Sequence, residues 1–335
     1  MHHSTESILV TGGGGFLGGA IVSMMVEKGA RVRSFARGFY PTLDSIGVEQ
    51  ICGDLQDATS VHAACEGVDV VFHTAAKAGV WGDPKAYHSI NVTGTENVIA
   101  ACRFHQVSRL IYTSSPSVVL DGKDQAGIDE SAPYPSTYET AYPATKARAE
   151  QAVRTAGQED LLTLSLRPHL IWGPKDNHLV PRIIQRAKRL KRIGDGSNLV
   201  DTVYIDNAAR AHVIAARKLK ENPALSGNVY FISQGEPVPL WEMIDNILHA
   251  AGKDPVKGRI SPRMAWLVGA VLERIYKWLH LSGEPPMTRF VATELSIAHW
   301  FNIDAAHRDL GYEPTVSTEA GLERLAQWLK QHPIH

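Results

Sequence analysis

The residues of this chain most able to do chemistry are a tyrosine and a lysine four positions apart, Tyr142 and Lys146 in AYPATK. Four residues make about one helical turn, so on a helix the two side chains share a face. A tyrosine has a pKa of about 10, and a neighbouring ammonium ion lowers that pKa by favouring the phenolate. The pair could therefore exchange a proton with a reacting oxygen at neutral pH.

Two serines, Ser114 and Ser115, end the apolar run RLIYTSS at residues 109–115, which we predict to be a strand. A serine hydroxyl there could hydrogen-bond the reacting oxygen and hold it near Tyr142. Asn91, in NVTGTENV, could support a water path to Lys146 or could cap the helix that follows it. We therefore predict a catalytic set of Ser115, Tyr142, Lys146 and Asn91, with Ser114 left open as the alternative serine.

The elements that must position these residues alternate between apolar strand-like runs and helical patterns. The predicted strands lie in 8–12, 31–36, 49–55, 69–75, 109–115, 161–168 and 227–233, and helical patterns in 15–28, 58–66, 91–105 and 140–157. Such alternation with Val/Ile/Leu-rich strands predicts a Rossmann-type, doubly wound parallel α/β sheet.

A glycine turn follows the first predicted strand, in TGGGGFLGG at residues 11–19. Gly12, Gly15 and Gly18 would permit a tight turn, close approach of the backbone to a pyrophosphate, and close packing of helix on strand. The unpaired N–H groups of the helix N-terminus would then face the phosphates. We predict a dinucleotide site here.

The second predicted strand ends in SFARGFYP, where an acidic residue would bind the adenosine ribose of NAD. Ala36 stands at that position and Arg37 follows, and an arginine can place a planar cation on a 2′-phosphate. We therefore expect NADP(H), although Arg37 could instead be a solvated strand-end residue that leaves the cofactor choice loose. Asp54, in CGDL, is better placed for the adenine edge.

Composition narrows the function classes. Lys+Arg (34) nearly balances Asp+Glu (35), which gives no electrostatic reason to expect nucleic acid or an anionic membrane as a partner. Cys52, Cys65 and Cys102 form no CxxC pair, so we expect reduced thiols in a cytoplasmic protein. The N-terminus carries no secretory signal pattern. The histidines show no metal-ligand spacing, so we predict no metal.

After Pro174 the sequence pattern changes, with basic and apolar residues mixed, and the C-terminal part is predicted to be mostly helical. We expect a nucleotide-binding domain at 1–173, completed by about 201–233, and a smaller substrate lobe from 174–200 and 234–335. Charges interrupt the apolar segment 264–281 well short of the roughly 20 apolar residues of a membrane span. It could be a packed amphipathic helix, or one that faces a membrane surface or an acyl chain.

Together these segments make the chain resemble the extended short-chain dehydrogenase/reductase family over nearly its whole length. The matching segments are 11–18, 53–55, 73–76, 91–98, YTSS at 112–115, YPATK at 142–146 and LRPHLIWGP at 166–174. Within the family the chain is most similar to the 3β-hydroxysteroid dehydrogenase branch. Segments 76–82, 194–212, 232–240 and 283–290 resemble bacterial reductases of long-chain olefin biosynthesis that act on 2-alkyl-3-oxoalkanoic acids.

The resemblance implies an oxidoreductase that passes a hydride between a nicotinamide and a carbonyl carbon, with Tyr142 as general acid or base. It favours Ser115 over Ser114 and gives Lys146 a second role on the nicotinamide ribose. The cofactor contacts that we predict are Gly12, Gly15, Phe16, Leu17, Gly18, Arg37, Asp54, Leu55, Thr74, Ala75, Tyr142, Lys146 and Pro168.

Substrate contacts are expected on loops after sheet strands, at Trp81, His169 and Trp172, although packing is an alternative for each. Basic residues of 175–192 could meet a substrate carboxylate. The resemblance also implies a homodimer and association with neighbouring olefin-pathway enzymes.

Three other functions stay open: a hydroxysteroid dehydrogenase, a sugar-nucleotide epimerase or dehydratase, and a cofactor sensor without catalysis. Family dehydratases carry an Asp-Glu pair just after the active-site serine or threonine, where this chain has Ser115-Pro116-Ser117.

Overall fold

The computed structural model describes residues 6–334. Its strands are β1 (Ser7–Thr11), β2 (Arg31–Ala36), β3 (Glu49–Cys52), β4 (Val70–His73), β5 (Arg109–Thr113), β6 (Gln125–Ile128), β7 (Leu162–Pro168), β8 (Ile171–Trp172), β9 (Arg192–Ile193), β10 (Leu199–Val200), β11 (Val203–Tyr204), β12 (Val229–Ile232), β13 (Val238–Pro239), β14 (Arg259–Ile260) and β15 (His299–Phe301). Its helices are α1 (Phe16–Glu27), α2 (Pro41–Asp44), α3 (Ala58–Cys65), α4 (Pro84–His88), α5 (Gly94–Phe104), α6 (Ala141–Glu159), α7 (Leu179–Arg186), α8 (Ile205–Glu221), α9 (Leu240–Ala250), α10 (Pro262–Trp278), α11 (Arg289–Glu294) and α12 (Thr318–Gln331).

Seven strands form one parallel sheet in the order β12-β7-β5-β4-β1-β2-β3. All its neighbouring strands run parallel, which confirms the predicted doubly wound sheet. The strand order reverses between β1 and β4, since β2 and β3 lie on one side of β1 and β4 and β5 on the other. Ligands of such sheets bind at the carboxyl ends of the strands beside this switch point.

Both faces of the sheet are covered because its strands are apolar on both sides. Helices α1 and α8 pack on one face, and α3, α5 and α6 cover the other. The inner strand β4 (VVFH) is buried along its whole length, as expected for a parallel strand with helices above and below. The observed helices α1, α3 and α6 begin and end within two residues of their predicted bounds.

A second, four-stranded sheet in the order β13-β10-β15-β6 was not predicted. It joins Gln125–Ile128 to the C-terminal strand His299–Phe301, some 170 residues away in sequence. These strands have two to four residues, too short for a periodic pattern to show. Helices α9 to α12 supply most of the remaining C-terminal part, so its predicted helical character is confirmed. The domain bounds proposed from the sequence stay a prediction.

Helix α10 occupies the ambiguous apolar segment. Ser261 caps its N-terminus by accepting from Met264 N, and the helix packs through a narrow buried stripe of Ala265, Gly269 and Glu273. A Cβ at Gly269 would lie 2.6 Å from the Thr288 backbone, so this glycine sets how closely α10 approaches α11. Within residues 6–334, no helix is long and apolar enough to span a membrane.

Candidate active site

The glycine turn forms a tight backbone cradle at the switch point between β1 and β4. Gly12 has a φ of +73°, and Gly15 N donates to Gly12 O at 2.8 Å. A Cβ at Gly18 would lie 2.2 Å from the Gly12 oxygen, so no larger residue fits without moving backbone. A helix N-terminus meets a turn here that leaves room for a phosphate, and the cradle therefore suits a dinucleotide pyrophosphate.

A cavity of about 750 Å³ opens in front of this cradle. The predicted cofactor residues on its wall are Gly12, Gly15, Phe16, Leu17, Gly18, Arg37, Asp54, Leu55, Thr74 and Ala75. Ala36 is the last residue of β2, so no carboxylate stands at the end of this strand. Arg37 is exposed and makes no ion pair with any described residue. Sequence reasoning missed Tyr40, whose ring lies against Gly14, and Asn177, both on the same wall.

Tyr142 lies in the first turn of α6, close to the loop that follows β5. Burial raises the pKa of the Tyr142 phenol, and the Ser115 hydroxyl within hydrogen-bonding reach opposes that rise. Ser115 is fixed in place because its Oγ accepts from Ser117 N at 3.2 Å and caps the short 3-10 turn that begins at Pro116. The structure therefore brings Ser115 and Tyr142 together.

The structure also separates the two serines that the sequence left open. Ser114 is buried, and its hydroxyl is on the side of the Glu150 carboxylate, without a hydrogen bond of good geometry to any described residue. Successive residues of an extended chain point to opposite sides, so only one of the two can face Tyr142. Ser115 is that residue.

Lys146 is buried one turn after Tyr142. Its Nζ donates to Thr113 O at 2.6 Å and lies 4.2 Å from the centroid of the Tyr112 ring. Burial lowers the pKa of Lys146 to about 7, and the Glu150 carboxylate opposes this shift. We expected the ammonium to lower the pKa of Tyr142, yet that pKa is raised, because burial of the phenol outweighs any attraction from a lysine engaged elsewhere.

Asn91 is buried within a π-helical turn, Ser89–Thr93, that precedes α5. Its Oδ1 accepts from Lys77 N at 2.7 Å, and its Nδ2 donates to Lys77 O and to Thr145 Oγ1, each at 3.1 Å. The helix-cap interpretation is wrong, since Thr93 is the N-cap of α5 and all the hydrogen bonds of the Asn91 side chain go to Lys77 and Thr145. Asn91 instead ties the loop after β4 to the helix that carries Tyr142 and Lys146.

A buried ion pair beneath the site was not foreseen from the sequence. Arg167 Nε and Nη2 donate to the two Glu150 oxygens at 2.9 and 2.6 Å, and Tyr134 OH donates to the same carboxylate at 2.5 Å. Although burial opposes it, Arg167 holds the pKa of Glu150 below its usual value. Glu150 comes four residues after Lys146 on α6. This helical spacing is the sequence feature that could have placed Glu150 on the same face as Lys146.

Two of the three predicted substrate contacts do not reach a pocket. Trp172 is fully buried, with its Nε1 donating to Thr202 Oγ1 at 3.0 Å, so it belongs to the core. His169 is held on both sides, by Asp201 Oδ1 at 2.5 Å and by His299 Nδ1 at 3.1 Å. Their loop position suggested exposure, but Trp172 is part of β8, which pairs with β11, and His169 packs against His299 and Phe301 of β15. Pro168 is buried at the end of β7, opposite Ile232 of β12.

Trp81 does line a cavity, of about 560 Å³, together with Tyr87, Ala141 and residues of α10. Thr140 Oγ1, from another wall residue, is buried with no described hydrogen-bond partner. Lys277 Nζ lies 5.5 Å from the Trp81 ring centroid and pairs with no carboxylate of the described chain, whereas Arg289 is paired with Glu273.

Three of the basic residues in 175–192, the segment expected to meet a substrate carboxylate, are engaged elsewhere, and Arg192 is one of them, paired with Asp245. Arg182 pairs with Glu284, and Arg186 donates to Pro286 O at 3.0 Å. No basic residue of 175–192 lines the cavity that Trp81 and Ala141 share. Among residues 6–334, no group of three or more His, Cys, Asp or Glu side chains could hold a metal ion.

The chain has relatives among known proteins. Residues 9–260 match the 3-beta hydroxysteroid dehydrogenase/isomerase family. This chain belongs to that family. It is an oxidoreductase of the extended short-chain dehydrogenase/reductase type, acting on CH–OH groups, as the sequence predicted.

The chain is 51% identical to the 2-alkyl-3-oxoalkanoate reductase of Stenotrophomonas maltophilia, over 95% of this chain and 98% of that protein. It is 32% identical to the decarboxylating sterol-4-alpha-carboxylate 3-dehydrogenase of Mus musculus, over 95% and 89% of the two chains. Its fold is similar to that of UDP-glucuronic acid 4-epimerase from Bacillus cereus, solved in complex with NAD (TM-score 0.74, 22% identity, 97% and 99% coverage). This structural similarity shows only that the two proteins share a fold.

Proposed function

We propose that this chain reduces the 3-keto group of long-chain 2-alkyl-3-oxoalkanoic acids to the 3-hydroxy acids with NADPH, reversibly, as a step of long-chain olefin biosynthesis. The observation that carries the proposal is that Ser115 lies within reach of Tyr142, one helical turn from Lys146, on a helix that Asn91 ties to Lys77 on the wall of the larger cavity. The similarity to the bacterial 2-alkyl-3-oxoalkanoate reductase, at 51% identity, supports the substrate class.

The bound nicotinamide would supply or accept the hydride at its C4. Ser115 would hydrogen-bond the substrate oxygen and hold it at the Tyr142 hydroxyl. Tyr142 would donate its proton to that oxygen in reduction and take it back in oxidation. Since burial raises the pKa of Tyr142, its phenol is kept protonated at neutral pH, the form that reduction needs.

Lys146 would shift from the Thr113 carbonyl to the nicotinamide ribose and Tyr142 when cofactor is bound. Asn91 would act as a positioning residue, because it fixes Lys77 and Thr145 on either side of the site.

NADP(H) is proposed over NAD(H) from the residues around the adenosine end of the larger cavity. Ala36 cannot bind or repel a ribose 2′ group, and the exposed Arg37 has no competing ion pair within the described chain. The glycine cradle would hold the pyrophosphate, Asp54 and Leu55 the adenine side, and Thr74, Ala75 and Pro168 the nicotinamide side.

The names of two relatives share one chemical feature. Both the 2-alkyl-3-oxoalkanoate and the sterol-4-alpha-carboxylate carry a carboxylate on the carbon next to the reacting carbon. This chain would therefore need a cation near its substrate cavity. Lys277 is free of an ion pair with any described carboxylate and faces the cavity over Trp81, so we assign it the attraction of the acid.

A sterol-type or 3β-hydroxysteroid dehydrogenase is the second function, favoured by the family match and the murine relative. An epimerase or dehydratase is less favoured, since Pro116 and Ser117 stand where family dehydratases carry an acidic pair. A non-catalytic sensor is disfavoured because Ser115, Tyr142 and Lys146 are all present.

We further propose a cytoplasmic homodimer built on α5 and α6, together with contacts to neighbouring pathway enzymes. Both follow from resemblance to the family.

Replacing Tyr142 by Phe tests the catalytic assignment. Y142F should lose roughly a hundredfold or more of the turnover of a long-chain 2-alkyl-3-hydroxyalkanoic acid, because only the proton-transfer group is removed. Its affinity for NADPH, followed by nucleotide fluorescence, should stay within about twofold. Tyr230→Phe is the matched control, since Tyr230 donates to Asp309 Oδ2 at 3.2 Å and lines neither cavity. Unchanged turnover in Y142F would contradict the proposed function.

A further inference from the structure

Helix α10 and the turn after it expose an unusual amount of apolar surface. Of the thirteen large hydrophobic side chains exposed among residues 6–334, nine lie between 264 and 281. Trp278 is 81% exposed, Val271 55% and Leu267 53%. Scattered single exposures are normal in a folded protein, but a contiguous patch marks a surface that something covers.

Six of these nine side chains form one continuous face of α10. Their positions follow a spacing of three and four along the helix: Met264, Leu267, Val268, Val271, Ile275 and Trp278. The buried stripe of Ala265, Gly269 and Glu273 lies on another side of α10, against α11. The helix is therefore anchored along one narrow line while a broad apolar face stays uncovered by the described chain.

The border of this face carries cations. Arg274 is one residue before Ile275 and three after Val271, and Arg263 precedes Met264, so both flank the face at helical spacing. Both are exposed and neither pairs with a carboxylate of the described chain. The acid of the helix, Glu273, is buried and paired with Arg289. An apolar face with a cationic border fits an anionic lipid surface, where arginines meet headgroup phosphates.

The geometry points to one occupant: we propose that α10 docks this protein on the surface of an anionic phospholipid membrane. The helix would lie in the plane of the interface with Leu267, Val271 and Trp278 among the upper acyl chains. This is a peripheral contact, since α10 is too short and too charged to cross a bilayer. The near-neutral overall charge gave no hint of such a partner, because the relevant cations are local to one helix.

Docking would also present the substrate cavity to the membrane. Another side of the same helix lines that cavity with Trp266, Tyr276 and Lys277. A substrate with two long alkyl chains dissolves in lipid rather than water, so it could pass from the bilayer to the cavity along α10. This last step rests on the proposed function, whereas the docking itself does not.

Flotation with lipid vesicles tests the docking. Full-length protein would be mixed with vesicles of phosphatidylcholine alone or with about one-third phosphatidylglycerol, and the protein in the floating fraction measured. The wild type should float with the anionic vesicles, and its tryptophan fluorescence should shift to the blue as Trp278 enters the lipid. The double variant L267E/V271E should reduce the bound fraction roughly tenfold, since two side chains that would enter the acyl-chain region become charged. R263Q/R274Q should lose the preference for anionic vesicles.

Phe104→Glu is the matched control, because Phe104 is 73% exposed but lies alone on α5, so F104E should float like the wild type. Absence of flotation in the wild type, or equal flotation of L267E/V271E, would overturn the proposal. A wild-type dimer that L267E/V271E splits, seen by sedimentation without flotation, would show that a second copy covers the face and would overturn it too. These outcomes are independent of turnover, so failure of docking and failure of the proposed reductase activity are distinguishable.

Discussion

The Nζ atom of Lys146 lies over the ring of Tyr112, 4.2 Å from the ring centroid, and the Tyr112 side chain is itself fully buried. A cation in this position is stabilised by the ring but has lost its water. Because the effect of burial is larger than the attraction of the Glu150 carboxylate, the pKa of Lys146 falls to about 7, well below the usual value of about 10.4. The same lysine that the proposed mechanism needs thus makes folding depend on pH.

Replacing Lys146 by Met should remove a rise in stability with pH. Between pH about 7 and about 9 the native lysine has released its proton while the unfolded chain still binds one, so stability rises with pH. The free energy of unfolding of the wild type should therefore gain up to about 1.4 kcal/mol per pH unit relative to K146M. Urea unfolding across this range measures the difference. The exposed Lys330→Met should behave like the wild type, and a K146M slope equal to the wild-type slope would refute the buried titration.

Two neighbouring glycines make a matched pair for the cradle. In Gly18→Ala the new Cβ would meet the Gly12 oxygen at 2.2 Å, so the turn must open, at a cost of roughly 1–3 kcal/mol in stability. In Gly19→Ala the nearest atom is Gly13 O at 3.4 Å, an ordinary contact, and the helix gains about 0.5–1 kcal/mol. Thermal unfolding and NADPH binding would be measured for both. Equal behaviour of G18A and G19A would show that the turn is not the constraint.

Arg37→Ala tests the choice of cofactor. Loss of a charge-assisted pair with the 2′-phosphate should raise the KM for NADP⁺ roughly ten- to a hundredfold, with the KM for NAD⁺ almost unchanged. Ala36→Asp should move preference further towards NAD⁺, because the new carboxylate repels the phosphate and can bind the ribose. Arg31→Ala, at the exposed start of the same strand, is the control. A wild type that already prefers NAD⁺ would contradict the role given to Arg37.

Lys277→Met tests the attraction of the substrate carboxylate. The KM for the 3-hydroxy acid should rise about fivefold, the effect of one partly exposed ion pair, while kcat stays within about twofold. The KM for the methyl ester of the same acid should not change, and added salt should weaken only the acid. Arg274→Met, on the same helix but outside the cavity wall, serves as control. An equal effect of K277M on acid and ester would assign Lys277 to packing on Trp81 instead.

Much of the nucleotide half was predictable because its signals are local. A turn that needs glycine at Gly12 and Gly18, and a helix that places Tyr142 and Lys146 one turn apart, follow from residue type and spacing. The parallel sheet follows from long apolar strands such as β7. These elements were predicted within a few residues of their observed bounds.

The parts that failed depend on contacts between distant segments. Trp172 and His169 were expected to face a substrate, but residues 201 and 202 bury them from some thirty positions away. Glu150 on α6 and Arg167 on β7 come together only when the helix packs on the sheet, so their pairing is not visible in the sequence. Arg182 meets Glu284 across 102 residues, which no periodic pattern reveals.

The most direct test of the account offers purified enzyme a long-chain 2-alkyl-3-hydroxyalkanoic acid with NADP⁺ or NAD⁺, beside a 3β-hydroxysteroid, and follows the reduced nicotinamide. We predict turnover of the hydroxy acid with NADP⁺, with a kcat/KM well above that for NAD⁺ and for the steroid. Turnover of the steroid in preference to the acid, or of neither, would contradict the proposed substrate while leaving the oxidoreductase family and its fold in place.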